Sequence, residues 1–247
     1  MSQIRYRHVL LVDPDYTTFA GMHGGGIAYR SGAIYVADSR NGAKKLQVFP
    51  LGRLRMVPEE HRPRFHGYAY ILKQEGVVEL PVIPSFLSYD SDRKQFLTGT
   101  FRRCQGKHTA LESCREHGNA RLAWFRPDDV GPDSPACGPF FCHMQGAGSS
   151  RDEVTGRDIL WITSSWGRRN PSLLHIMNTD IDDSLKTGDA AIDHYRKLIY
   201  PPGLEDIHVA SGSENVWFLT EFGPHEGKAS NHRVVFAVKR QEIMPLR

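Results

Sequence analysis

Several things are missing from this 247-residue chain, and each absence removes a class of protein. No apolar run approaches the roughly 20 residues that a membrane-crossing helix needs. The first residues, Met1-Ser2-Gln3-Ile4-Arg5-Tyr6-Arg7, lack the apolar core of an export signal. Charge of one sign does not accumulate either: 31 Lys and Arg are dispersed among 28 Asp and Glu, so no basic stripe is expected to meet nucleic acid. Cysteine is sparse. Cys104 and Cys114 bracket one loop and Cys137 and Cys142 another, at spacings too wide for the close Cys pairs of a zinc site. They are read either as free thiols or as two local disulfides in an oxidising compartment. Asn170-Pro171-Ser172 is blocked by its proline as a glycosylation acceptor. Helical periodicity is nearly absent as well, which excludes alternating strand-helix folds.

What is present is a strand pattern that repeats. Residues 23 to 38 read as a hairpin: two runs of β-branched and aromatic residues flank Arg30-Ser31-Gly32, and the second stops at Asp38. A third strand follows at Leu46 to Leu51. Ile27 in this unit aligns with Leu87, Gly148 and Ile207, at intervals of 60, 61 and 59 residues. Second strands are expected at Ala33 to Asp38, Gln95 to Thr100, Ile159 to Ser164 and Val216 to Glu221. Third strands follow at Leu46 to Leu51, Arg121 to Phe125, Leu173 to Met177 and Arg233 to Val238.

Small antiparallel sheets at a fixed period mark a β-propeller. The chain is therefore read as one all-β domain over residues 1–247, with units near 15–81, 82–142, 143–202 and 203–247, and as a monomer. The alternative is a β-sandwich with coincidental spacing. A further strand, residues 5 to 12, has no partner strands before it and is expected to pair with the last unit and close a four-bladed ring. In the other reading it is left over from a five-bladed protein.

Tyr6-Arg7-His8-Val9-Leu10-Leu11-Val12, His23-Gly24-Gly25-Gly26-Ile27-Ala28, Tyr35-Val36-Ala37-Asp38, Gln145-Gly146, Leu204-Glu205-Asp206, Leu219-Thr220-Glu221 and Val235-Phe236-Ala237-Val238 together resemble a family of secreted β-propeller-like proteins of actinobacteria and fungi. The resemblance implies the propeller fold and spans nearly the whole chain. Members of that family are longer at the N-terminus, with an export signal and further strands ahead of the position matching Tyr6, and this chain looks N-terminally short beside them. It brings no catalytic residues with it.

The antiparallel pairing of the first two strands decides which side chains can meet. The start of a first strand and the end of a second lie at one end of the sheet. His23, Gln145, Glu205 and Asp206 sit at first-strand starts, and Asp38, Ser164, Ser165 and Glu221 at second-strand ends. All eight are expected around one mouth. Glu205, Asp206, Glu221 and His23 are the candidate catalytic groups, since paired acids in different surroundings divide into acid and base. Asp38, Gln145, Ser164, Ser165 and Trp166 are the candidate ligand contacts. Glu205, Asp206 and Glu221 are also candidate calcium ligands, carboxylate oxygen being suited to that ion. The bland reading is that Asp and Ser at strand ends serve turns. His143 and His208 are weighed between ligand or proton-shuttle roles and ordinary half-buried packing.

His23-Gly24-Gly25-Gly26 matches the oxyanion loop of lipases, but no Gly-x-Ser-x-Gly elbow accompanies it. The glycines are read instead as allowing close approach between first strands. Three functions remain open. One is a binder of a small polar metabolite or glycan. The second is a calcium-assisted hydrolase, lactonase or natural-product cyclase or isomerase. The third is a protein-interaction scaffold.

Overall fold

The structure is a computed structural model. It describes residues 7–19, 21–103, 120–138, 140–152, 155–165, 170–189, 192–210, 212–221 and 234–244. The fold is all-β. The first sheet runs β2 (Gly24–Arg30), β3 (Ala33–Asp38), β4 (Lys45–Pro50) and β7 (Gly76–Glu79); the second runs β8 (Phe86–Asp90), β9 (Gln95–Gly99) and β10 (Leu122–Phe125). The third contains β11 (Met144–Arg151), β12 (Asp158–Ser164), β13 (Ser172–Thr179) and β14 (Ile192–Tyr200), and the fourth β15 (Leu204–Val209), β16 (Asn215–Thr220) and β17 (Val235–Lys239). Every pairing within these four sheets is antiparallel.

The N-terminal strand is a correction. β1 (Leu10–Val12) does not close the last sheet; it pairs in parallel with β6 (Tyr70–Lys73), which also pairs with β5 (Leu54–Met56). β5 and β6 lie in an insertion between β4 and β7 that offers a free edge close in sequence. Burial of Val12 with Val57, Phe65 and Ile71 holds β1 there.

Consecutive sheets share cores. Ala37 and Leu46 of the first pack with Leu87 and Phe96 of the second. Phe86, Leu122 and Trp124 pack with Leu160, Ile162 and Met177 of the third. Ile159, Trp161 and Ile176 of the third pack with Ile207, Val216 and Phe218 of the fourth. β12 is thus buried on both faces, which is why Ile159-Leu160-Trp161-Ile162 is continuously apolar, whereas β16 alternates. Each fully buried Phe or Leu contributes roughly 1.5–3 kcal/mol. The outward faces of the end sheets stay open: Ile27 and Tyr29 are 58% and 60% exposed on the first, Trp217 and Val235 44% and 64% on the last.

First strands lie side by side in the order β2, β8, β11, β15, and β15 also reaches β8. Glycine makes this possible. A Cβ on Gly26 would run into the backbone of Phe86 and Leu87, and one on Gly146 would come 2.5 Å from the carbonyl oxygen of Glu205. These contacts bear out the packing role of the glycines in His23-Gly24-Gly25-Gly26.

Among the described residues α-helix enters in two places. α1 (Ile181–Thr187) is capped by the Asp180 carboxylate, which accepts from Asp183 N, and ends at Gly188 in the left-handed region. α2 (Arg240–Ile243) follows β17. Among the described residues no helix is long and apolar enough to cross a membrane.

Candidate functional site

The sheets bring their first-strand starts and second-strand ends together by one repeated hydrogen bond. Ser39 N donates to His23 O in the first sheet, Ser165 N to His143 O in the third, and Glu221 N to Gly203 O in the fourth. Just inside these pairs, three first strands carry a bulge. Register slips between Gly24 and Gly26, between Met144 and Gly146, and between Leu204 and Ile207. Gly25, Gln145 and the Glu205-Asp206 pair are therefore left out of the ladders, the arrangement by which a bulge re-aims side chains.

Neighbouring sheets are tied at this end. Ser85 Oγ donates to Met144 O at 3.2 Å, linking second to third, and Thr163 Oγ donates to the carbonyl of Glu205, linking third to fourth. Asp206 sits beside Gly146 and accepts a hydrogen bond from Ile207 N at 2.9 Å. Enclosure of its carboxyl, with a smaller push from the neighbouring Glu205 charge, raises its pKa to about 7. It therefore exchanges a proton near neutrality.

The other expected residues divide. His23 is exposed, Gln145 half-buried, and Ser164 and Ser165 are buried, with no hydrogen-bond partner for Ser164 Oγ. Asp38 is engaged structurally: it accepts from Arg40 N at 3.1 Å, Arg40 Nη2 at 3.3 Å and Gln47 Nε2 at 3.0 Å. Gln74 Nε2 in turn donates to Gln47. Trp166 lies outside the described residues.

Among the described residues no group of three or more His, Cys, Asp or Glu side chains converges to hold a metal ion. Glu205 and Asp206 are adjacent in the bulge of β15, whereas Glu221 follows the end of β16 and is held through its backbone to Gly203.

The pairing of Cys137 with Cys142 is corrected too. Cys137 is a free, buried thiol packed in the core between the second and third sheets, while Cys142 is disulfide-bonded. Cys104 and Cys114 lie outside the described residues.

At the opposite end of the strands, a polar cavity of about 580 Å³ lies between the second and third sheets. Its charges largely satisfy one another: Arg93 bridges Asp158 at 2.6 Å and Asp182 at 2.7 Å, and Arg151 N donates to Asp92.

Sequence reasoning passed over Thr163. A Thr in a strand carries no signal of the carbonyl it will meet in the next sheet.

No protein-family model matches the chain, and no curated protein is similar to it. Among solved structures it is similar to the crystal structure of an exo-beta-1,3-galactanase from Phanerochaete chrysosporium with beta-1,3-galactotriose, at 11% identity and a TM-score of 0.46. The similarity covers 94% of this chain and 50% of that one, so the chain spans about half the length of that structure.

Proposed function

We propose that the four successive sheets are blades of a β-propeller and that the bulged end binds a saccharide or similarly small polar metabolite. The observation that carries this reading is the bulge at Glu205-Asp206, where a proton-exchanging carboxyl stands at the same end of the sheets as the unpaired Gln145 and the buried, unpartnered hydroxyl of Ser164. Carboxyl, amide and hydroxyl groups offer both donors and acceptors, which suits a ligand rich in hydroxyls. The raised pKa of Asp206 also favours a second reading, hydrolysis with Asp206 as general acid or base beside the Glu205 carboxylate.

One experiment addresses both. Calorimetric titration with β-1,3-galactotriose, cellotriose and maltotriose is expected to find one bound trisaccharide, with binding weakened at least tenfold in Gln145→Ala. Product analysis of the same mixtures separates the readings. Turnover lost in Asp206→Asn with binding retained supports hydrolysis, and binding without turnover supports a binder. If no trisaccharide binds, the saccharide reading fails.

A further inference from the structure

The turn that follows β1 carries a tyrosine where glycine is the expected residue. Val12 bridges Thr18 in antiparallel register, Asp13 N donates to Thr17 O at 3.0 Å and Tyr16 N to Asp13 O at 3.1 Å, so residues 14–16 make a three-residue hairpin loop. The last residue of such a loop is left-handed and suits glycine. Tyr16 occupies it at a φ of 62°, a conformation that strains a bulky residue. The loop does not need the ring in order to close. Asp13 closes it, its carboxylate accepting from Asp15 N at 2.9 Å, from Thr17 N at 2.8 Å and from the Thr17 hydroxyl.

The strained backbone instead places the ring against a cavity. Tyr16 lines a space of about 280 Å³ whose floor is Val57, Phe65 and Ile71, buried side chains of the cluster that holds β1. Met56, 70% exposed, lines it as well, an unbranched side chain able to fit itself to a guest. Lys73 Nζ stands 4.3 Å from the Tyr16 ring centroid and steadies the ring by cation–π attraction. The charged groups are of one sign. Among the described residues no carboxylate lines the cavity, whereas His61 and Arg64 do. Neither side chain has a hydrogen-bond or ion-pair partner among those residues, and the Arg64 guanidinium lies over the Phe65 ring, 5.7 Å from its centroid.

An apolar floor, an aromatic wall and an unpaired guanidinium suit an anion with a flat apolar body. The volume lies just under the range of about 300–1,000 Å³ that holds drug-sized ligands, so the guest is one ring or two fused rings. We propose that this cavity is a binding site for a small aromatic carboxylate, its rings packed against Tyr16 and Phe65 and its carboxylate accepting hydrogen bonds from Arg64 and His61. The site shares no residue with the bulged end and does not rest on the saccharide reading.

Calorimetric titration of the full chain with 2-naphthoate, neutral 2-naphthol and cationic 2-naphthylmethylamine tests the assignment. One 2-naphthoate is expected to bind with a dissociation constant of about 1 mM or lower. The naphthol is expected to bind at least fivefold more weakly and the amine at least tenfold more weakly. Arg64→Gln, at an exposed position, is expected to weaken naphthoate binding at least fivefold and to leave naphthol binding within twofold. Tyr16→Gly and Tyr16→Asn both remove the ring and accept the left-handed region. Each is expected to lose at least fivefold affinity for naphthoate, with the glycine variant melting no lower than the parent. Absence of naphthoate binding overturns the proposal, as do equal affinities for the three probes, which would mark an unselective apolar surface. Naphthoate affinity kept within twofold in Arg64→Gln or in either Tyr16 variant overturns it too, since the ligand would then sit elsewhere. A glycine variant that melts lower does the same, because the ring would then serve the fold.

Discussion

The hydroxyl of Thr163 donates a hydrogen bond to the main-chain carbonyl of Glu205. The third sheet thereby grips the bulge of the fourth, and Gly146, paired with Thr163 in that same sheet, lies flush against it, where a Cβ would stand 2.9 Å from the Asp206 Cα. The position of the Asp206 carboxyl is set by a neighbouring sheet as well as by its own strand.

Loosening either grip has a calculable cost. Thr163→Val keeps the shape and removes the donor, which is expected to lower unfolding free energy by about 1 kcal/mol. Gly146→Ala forces backbone apart and is expected to lower it by about 1–3 kcal/mol. Gly52→Ala, where nothing lies within 4 Å, serves as the control and is expected to stay within about 0.5 kcal/mol. Urea unfolding of the three variants checks this; equal effects at Gly146 and Gly52 would show that the two sheets do not meet at the bulge.

Much of this arrangement was legible in the sequence. Alternation in β2 and β16, the turn at Ser31-Gly32 and the period near 60 residues predict antiparallel units, and antiparallel pairing alone predicts that His23 and Asp38 share an end. The insertion was not legible, because β5 and β6 are three- and four-residue strands separated by residues 57–69, and the edge they offer to β1 is a tertiary fact. α1 was readable from Asp180 and Gly188 at its ends, yet seven residues give too little periodicity to register. Whether Asp38 serves a ligand or the fold depended on Gln47 and Gln74, whose meeting no local pattern announces.

Asp38 accordingly behaves as a structural group. It is almost wholly buried, and removing its carboxyl strands the Gln47 amide and the Arg40 backbone donor. Asp38→Ala is expected to cost about 1–3 kcal/mol of stability. Trisaccharide affinity, measured by calorimetry below the melting range, is expected to stay within twofold of the parent. A tenfold loss of affinity with unchanged melting would return Asp38 to the ligand site.

His175 is a second buried switch, far from solvent and distinct from the bulge. It stacks on Phe141 with ring centroids 3.7 Å apart, its Nδ1 meets Tyr195 Oη at 2.8 Å, and its Nε2 has no hydrogen-bond partner. Burial pushes its pKa down to about 3. Between pH 3 and the ordinary histidine value of 6.5 the unfolded chain takes up a proton that the folded chain refuses, so this group makes stability rise with pH over that window. Asp206 acts with the opposite sign. Between 3.8 and about 7 the folded chain holds a proton that the unfolded chain has lost, so its stabilising contribution, full at low pH, falls as pH rises. Each slope is at most about 1.4 kcal/mol per pH unit, less for Asp206 because part of that residue reaches solvent. The two windows overlap almost completely, and these two contributions largely cancel between pH 4 and 6.5. Single variants expose them: His175→Phe, which keeps the stack, is expected to lose stability relative to its own acid value as pH rises from 4 to 7, and Asp206→Asn is expected to gain it. Chemical denaturation at half-unit pH steps measures both slopes, and two variants with parallel profiles would show that at least one of these groups titrates near its ordinary value.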